Sequence, residues 1–433
     1  MIPIYRWKQT PDSQKAKIMA RSGQDIDAFI PKAQEIIDRV KAQGDKEIIA
    51  LTQEFDGADL SQCGLRVTKE EINAAGARLD PKVKKAIEIS YQNIKTFHER
   101  QMPEELWFTE VGPGLMCGEK VSPIESCVLY VPRGTAAYPS VLLMLGVPAK
   151  IAGVGRIAVV TPPQADGTVD DASLYAAKLV GIDEIYRFGG VQAVAAFALG
   201  TETIKPVLKM LGPSNIYASA AKKILYGVMD FGTPAGPSES IILADEFANA
   251  DMVATDLLIE AEHGPYSAAL AVTHSEKLAN ALVKIIPDKV NSLPDKQKDY
   301  ITTVFSNYGG IILTDSLEES VAFTNDYAPE HLEVLTKDPM ALVTKLTNAG
   351  EIMLGPFTPI SLCNYSLGVN AILPTGGRAK TSSVVTVHDY MKRTSLSYVT
   401  EEGFESLRDH VAVFADFEGF PAHAAAVRTE RKG

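Results

Sequence analysis

Cys127-Val128-Leu129-Tyr130-Val131-Pro132 is a short apolar run that stops at a proline and is followed by Arg133-Gly134. Its length and its stop suit a buried strand. Downstream the pattern alternates. A helix is predicted over 139–152, a strand over 156–161 (Arg-Ile-Ala-Val-Val-Thr) and a helix over 170–180. A third strand at 184–187 and a third helix at 191–199 complete the series. Strands and helices alternating at this length imply a parallel sheet.

This places a Rossmann-like α/β unit at 128–239. The glycine fingerprint usual for dinucleotides is missing from it. Gly153-Val154-Gly155-Arg156-Ile157-Ala158 has only the first two glycines and precedes a strand instead of following one. A dinucleotide bound here needs another arrangement of loops.

Upstream, Ile26, Phe29, Ile30, Ala33, Ile36, Ile37 and Val40 recur at helical spacing. So do Ile72, Ala75, Leu79, Val83, Ala86, Ile87 and Ile94, so 24–105 reads as helices. Downstream, strands are predicted at 241–245, 268–273, 310–314 and 351–354, with helices between them, and two helical pieces at 402–410 and 421–429. The expected fold is α/β, with two Rossmann-like α/β domains, a helical N-terminal part and a small C-terminal tail domain. The arm is 1–23, the main domain 24–127 plus 240–385, and the tail 386–433.

With 433 residues, 46% of them hydrophobic and 22% charged, the chain can bury a large core. A net charge of -12 argues against nucleic acid as the main partner, because phosphates select a basic face. Cys63, Cys117, Cys127 and Cys363 form no C-x-x-C pair and no disulfide framework, which points to a reduced, cytoplasmic chain. Residues 1–12 hold no signal-like apolar segment, and the run 141–154, broken by Pro148 and Lys150, is too short to span a bilayer.

Four local patterns can carry chemistry. Tyr327-Ala328-Pro329-Glu330-His331-Leu332-Glu333 sets a carboxylate beside an imidazole after a proline, where a helix start is predicted. Such a pair suits general acid/base work and is equally common in surface turns. Glu260 and His263, three apart on a predicted helix, share a face and suit a metal, although the same spacing is frequent on plain surfaces. His423 reads either as a distant ligand or as a structural histidine. Glycine turns at 189–192, 211–215 and 234–239 offer free N–H groups for an anion or are ordinary loops.

Together these stretches resemble the histidinol dehydrogenase family over nearly the full chain. The resemblance rests on Tyr130-Val-Pro-Arg-Gly-Thr-Ala-Ala-Tyr138-Pro-Ser140, Gly189-Gly-Val-Gln192-Ala, Gly212-Pro-Ser-Asn215-Ile-Tyr217, Ala235-Gly-Pro-Ser238-Glu239 and Ala261-Glu-His263. It continues through Tyr327-Ala-Pro-Glu330-His331-Leu-Glu333, Leu373-Pro374-Thr375 and Lys392-Arg393-Thr394-Ser395. The resemblance implies a zinc-dependent, NAD-linked homodimer that oxidises a primary alcohol through a bound aldehyde to a carboxylate. It assigns Glu330 to water activation and His331 to proton acceptance. Tyr130, Gln192 and Asn215 would contact NAD, making 128–239 the cofactor domain. Ser238 and Glu418 would contact substrate. Glu260, His263, Asn364 and His423 would hold zinc, the last donated by an exchanged tail of the partner chain.

Some positions depart from the family pattern. Glutamine is usual where Glu260 stands and aspartate where Asn364 stands, so one carboxylate and one carboxamide have exchanged places and the total charge is kept. An imidazole is usual at Ala371 and an acidic residue at Gly264. Arg133-Gly134 replaces a glycine pair, and Ser214 replaces a glycine. L-Histidinol is the leading expected substrate; a small polar or anionic alcohol such as a sulfonated propanediol is the alternative. A metal-free, inactive binding protein is the third reading, and the choice between NAD and NADP stays open.

Overall fold

The computed structural model describes residues 2–23, 26–133, 137–233 and 236–431. The turn residues 134–136 and 234–235 noted above lie outside the described residues. In chain order the strands are β1 (Ile4–Arg6), β2 (Leu106–Gly112), β3 (Leu115–Pro123), β4 (Ser126–Tyr130), β5 (Arg156–Val160), β6 (Glu184–Tyr186), β7 (Lys209–Leu211), β8 (Asp230–Phe231), β9 (Glu239–Ala244), β10 (Ala268–Thr273), β11 (Gly310–Leu313), β12 (His331–Leu335), β13 (Glu351–Leu354) and β14 (Met391–Val399).

The chain forms two compact units: Met1–Gln101 with Glu125–Tyr390, and Met102–Ile124 with Met391–Gly433. The first holds two parallel sheets. One runs β6-β5-β4-β7-β8 and the other β1-β11-β10-β9-β12-β13. Residues of β4 and β9 through β12 are buried without exception, as expected for parallel strands covered by helices on both faces. The expected α/β architecture is therefore present, with element ends moved by a residue or two. Helix Pro139–Ile151 follows β4, helix Asp171–Val180 follows β5, and helix Gly190–Leu199 follows β6.

The helical N-terminal part is also present, in helices Ile30–Asp56, Lys69–Arg78 and Pro81–Glu99. Thr68 and Glu71 form a reciprocal cap at the second, and Asp80 caps the third before Pro81. Ala33, Ile36, Ile37 and Val40 bury the apolar stripe of the first helix in the core around β4 and helix Gly190–Leu199.

Two features differ from the sequence reading. Residues expected in the main domain form the hairpin β2–β3, which pairs antiparallel with β14 in the second unit. Strand β2 is exposed along nearly its whole length, so it lacks the apolar/polar alternation that marks a half-buried strand. The arm contributes β1 as a parallel edge strand beside β11. The tail's helix, predicted to end at 410, runs Glu401–Phe417. Among the described residues, no helix is long and apolar enough to cross a membrane.

Candidate active site

Helix Leu317–Tyr327 ends at Ala328, whose φ of 51° takes the left-handed conformation and whose N–H bonds Thr324 O at 2.9 Å. Pro329 prevents continuation. The chain then enters β12, so Glu330 and His331 stand at a strand start and not at the helix start expected from the proline. The period-two alternation of His331, Leu332, Glu333 and Val334 is the reason: Leu332 and Val334 enter the core on one face, leaving His331 and Glu333 on the other.

That other face meets helix Ala250–Ala261, which returns from the far end of β9 with Asn249 as its N-cap. Its last turn therefore reaches the beginning of the strands. In this way Glu260 and His263 arrive beside His331. His263 Nδ1 is 2.9 Å from Glu260 Oε2 and 3.0 Å from Ser238 Oγ. Asn364, on the short helix Ile360–Tyr365, donates from Nδ2 to Glu260 Oε1 at 3.0 Å. His331 Nε2 lies 3.8 Å from Glu260 Oε1 and 3.9 Å from Glu330 Oε1. On the ring's opposite edge, Nδ1 is 3.4 Å from Glu351 Oε2.

Backbone close to Glu330 is tightly specified. Its Oε2 accepts the Glu239 N–H at 2.9 Å, and its carbonyl accepts the Glu351 N–H at 3.0 Å. Gly350 is required next to it, since a Cβ there would stand 2.6 Å from the Glu330 carbonyl oxygen. Arg21 supports the same corner. Its guanidinium pairs with Glu239, bonds the Tyr327 carbonyl and lies 3.8 Å from the Tyr327 ring centre. Glu239 also accepts the Gly376 N–H at 2.9 Å.

Charge separation in this cluster is strong. Burial alone would push Glu260 up, but the imidazoles of His331 and His263 outweigh it and hold the carboxyl down at about 2. Glu330 is pushed up to about 8 by burial, against the pull of His331, with Glu260 and Glu239 adding repulsion. Burial would lower His331, yet Glu260, Glu330 and Glu351 raise it to about 9. His263 is likewise raised against its burial, through Glu260 first.

The donor set can be tested for a cation. Asn364 Oδ1 is buried and accepts no hydrogen bond, and Glu260 Oε2 has only the His263 imidazole beside it. An unpartnered buried oxygen beside a carboxylate and an imidazole is a costly arrangement that a cation would relieve. Among the described residues, no group of three or more His, Cys, Asp or Glu side chains could hold a metal ion. Asn364 brings a carboxamide, which does not count among those side-chain types. The remaining two residues, Glu418 and His423, lie exposed in the second unit, at the C-cap of helix Glu401–Phe417 and on helix Pro421–Arg428.

The other three residues lie at or just past the C-terminal ends of the β4-centred sheet, where β5 and β7 flank β4 on opposite sides, a topological switch point. Tyr130 ends β4, and its hydroxyl accepts the Gly190 N–H at 2.9 Å. Gln192 is buried with Oε1 unpartnered. Asn215 caps helix Ile216–Leu225 through the Ala218 N–H at 3.0 Å. Lys222 stands here too, donating to the Gly212 carbonyl at 2.8 Å, with burial pulling its pKa down to about 8.

Sequence reasoning assigned no role to Arg21, Lys222 or Glu351, and quoted Glu239 only as part of a motif. Nothing local marks Arg21 or Lys222, whereas Glu351 was visible as the first residue of a predicted strand. Ala371 follows Asn370, whose Nδ2 donates to the Met144 carbonyl at 2.6 Å and lies 3.3 Å from His98 Nε2. His98 is fully buried and bonds Ile94 O through Nδ1 at 2.8 Å, the signature of a core histidine.

Two parallel sheets with an acid–imidazole cluster at the N-terminal ends of β9, β12 and β13 define an α/β protein with titratable groups gathered on one buried carboxylate, Glu260. The histidinol dehydrogenase family model matches residues 19–431. A protein named histidinol dehydrogenase from Synechocystis sp. is 47% identical over 428 residues, covering 99% of each chain. A histidinol dehydrogenase homolog from Rhizobium meliloti is 44% identical over 431 residues, covering 99% of this chain and 94% of that one. The crystal structure of histidinol dehydrogenase from Elizabethkingia anophelis superposes with a TM-score of 0.91 at 34% identity, covering 99% and 97% of the two chains. The chain belongs to the histidinol dehydrogenase family of oxidoreductases.

Proposed function

We propose that this protein oxidises a primary alcohol through a bound aldehyde to a carboxylate, with L-histidinol as substrate and two NAD as successive hydride acceptors, one for each step. The observation that carries this reading is the convergence of Glu330, His331, Glu260, His263, Asn364 and Ser238, drawn from four separate segments, around the buried Glu260, Glu330 and His331. His331 takes the hydroxyl proton at Nε2 in its neutral form, which is the major one only above about pH 9. Glu330, with an affinity for protons close to neutrality, polarises the water that hydrates the aldehyde. Ser238 orients substrate. Tyr130, Gln192 and Asn215 would contact the cofactor, with 128–239 as the cofactor section. Zinc and NAD, when bound, supply Lewis acidity and a hydride acceptor. Glu260, His263 and Asn364 would hold the metal, and the unpartnered Asn364 Oδ1 beside Glu260 supports that fit.

The assembly we propose is a cytoplasmic homodimer in which the tail, 386–433, is exchanged, so that the partner supplies His423 and Glu418. Exposed Phe414, Phe417 and Phe420 beside them support a covered surface there. The arm at 1–23 and the main section at 24–127 plus 240–385 complete this division.

NADH formation with L-histidinol tests the function. His331→Asn and Glu330→Gln are each expected to lower kcat by about 10²–10⁴. A second reading, oxidation of another small polar or anionic alcohol, is favoured by Ala371 where a pocket imidazole is usual. A panel including a sulfonated propanediol decides between them, and silence with every alcohol would favour a metal-free binding protein. Metal analysis of protein purified without chelator tests zinc; full activity without metal would refute it.

A further inference from the structure

We propose that Glu351 is a positioning residue that holds the His331 imidazole through its Nδ1–H, leaving Nε2 free to face the reacting alcohol. This rests on the base role proposed for His331. The fold sets the two residues opposite each other: each is the first residue of its strand, and they are direct register partners across β12 and β13. Nδ1 and Oε2 are 3.4 Å apart, and among the described residues neither atom has a hydrogen-bond partner. Side-chain exposure is 3% for His331 and 9% for Glu351, so water is a poor substitute partner for either. His331 Nδ1 would be left unsatisfied without Glu351, a costly state for a buried polar atom, while the Glu351 carboxylate also has the Cys363 thiol beside it.

The ring's two edges are thus distinguished. Nε2 faces Glu330 and Glu260 at 3.9 and 3.8 Å, and among the described residues the carboxylate within 4 Å of Nδ1 is that of Glu351. A carboxylate on the far nitrogen selects the Nδ1–H form and locks ring rotation, as carboxylates do for catalytic and metal-bound imidazoles on unrelated folds. A separation of 3.4 Å is long for this bond, and such contacts commonly tighten when substrate fills the site. Glu351 touches neither the proposed substrate nor the cofactor position, so its effect passes through His331.

Two measurements on the full-length protein test this. In protein labelled with ¹⁵N-histidine, an exchange-protected His331 Nδ1–H signal, assigned by its loss in His331→Asn, is expected. It should vanish in Glu351→Leu and persist in Glu351→Gln, which keeps an acceptor. In steady-state oxidation of L-histidinol, Glu351→Leu is expected to lower kcat about 10–100-fold with KM for the alcohol little changed, and Glu351→Gln to recover part of it. An unchanged Nδ1–H signal in Glu351→Leu overturns the inference. So does an unchanged kcat in a folded Glu351→Leu protein that loses activity on His331→Asn. Should Glu351→Leu not fold, Glu351→Gln with full kcat and no protected Nδ1–H signal overturns it equally. If the parent protein turns over no alcohol, the functional reading fails, and the labelled-histidine experiment still decides whether Glu351 holds the ring.

Discussion

Glu333 shows how burial at one residue becomes a property of the whole chain. It shares the polar face of β12 with His331 and meets Asp256 on helix Ala250–Ala261. Burial first, then Asp256, pushes its carboxyl up to about 9. Asp256 is raised as well, chiefly by burial. A raised carboxyl is protonated in the folded state, so the folded chain binds more protons than the unfolded one. The contribution is complete below the unfolded value of about 4 and is lost as pH climbs towards 9. Glu333→Gln cannot ionise and can still donate to Asp256. Its melting temperature should fall less than the parent's between about pH 5 and 9 in a calorimetric series. Arg21 makes a second case. Arg21→Ala strands the buried Glu239 carboxylate, and a loss of about 3–5 kcal/mol in denaturant unfolding is expected. The Glu330-His331 pair was legible as chemistry from its neighbours in sequence. Arg21 was not, because its partners lie about 200–300 positions away and nothing local announces them.

Among elements, β12 carries the main lesson. Proline before Glu330 pointed to a helix start, whereas the alternation of His331, Leu332, Glu333 and Val334 points to a strand. The alternation won, because parallel strands β9 and β13 were available to pair on both sides. Open α/β sheets usually bind ligands at the C-terminal strand ends. This cluster sits at the N-terminal ends instead, since Glu239, His331 and Glu351 are all first residues of their strands. Helix Ala250–Ala261 must therefore present its last turn, and Asn249 secures its beginning. Asn249→Ala is expected to cost about 1 kcal/mol in stability with kcat unchanged, which separates support of the helix from chemistry. Gly350→Ala should do both. A methyl group there meets the Glu330 carbonyl, so a destabilisation of about 1–3 kcal/mol and a lower kcat are expected from unfolding and steady-state assays.

For the molecule as a whole, the proposed exchange of tails has a direct consequence. His423→Ala and Glu330→Gln would each abolish activity in different parts of one shared site. Mixing the two inactive proteins under subunit-exchange conditions should restore up to about a quarter of the parent activity, because half the dimers are mixed and each keeps one intact site. No recovery, with exchange verified by mass, would overturn the exchange of tails, since His423 would then serve the same chain as Glu330. The order of helices and strands around both parallel sheets was readable from residue order, because hydrophobic period and turn residues act over a few positions. The motifs that place the chain in its family were readable for the same reason. Which strand ends face each other was not. The meeting of Glu351 with His331, the clamp of Arg21 on Glu239 and the pairing of β2–β3 with β14 depend on chain segments far apart in sequence. Burial and strand register select those contacts, and neither exists until the sheets have assembled.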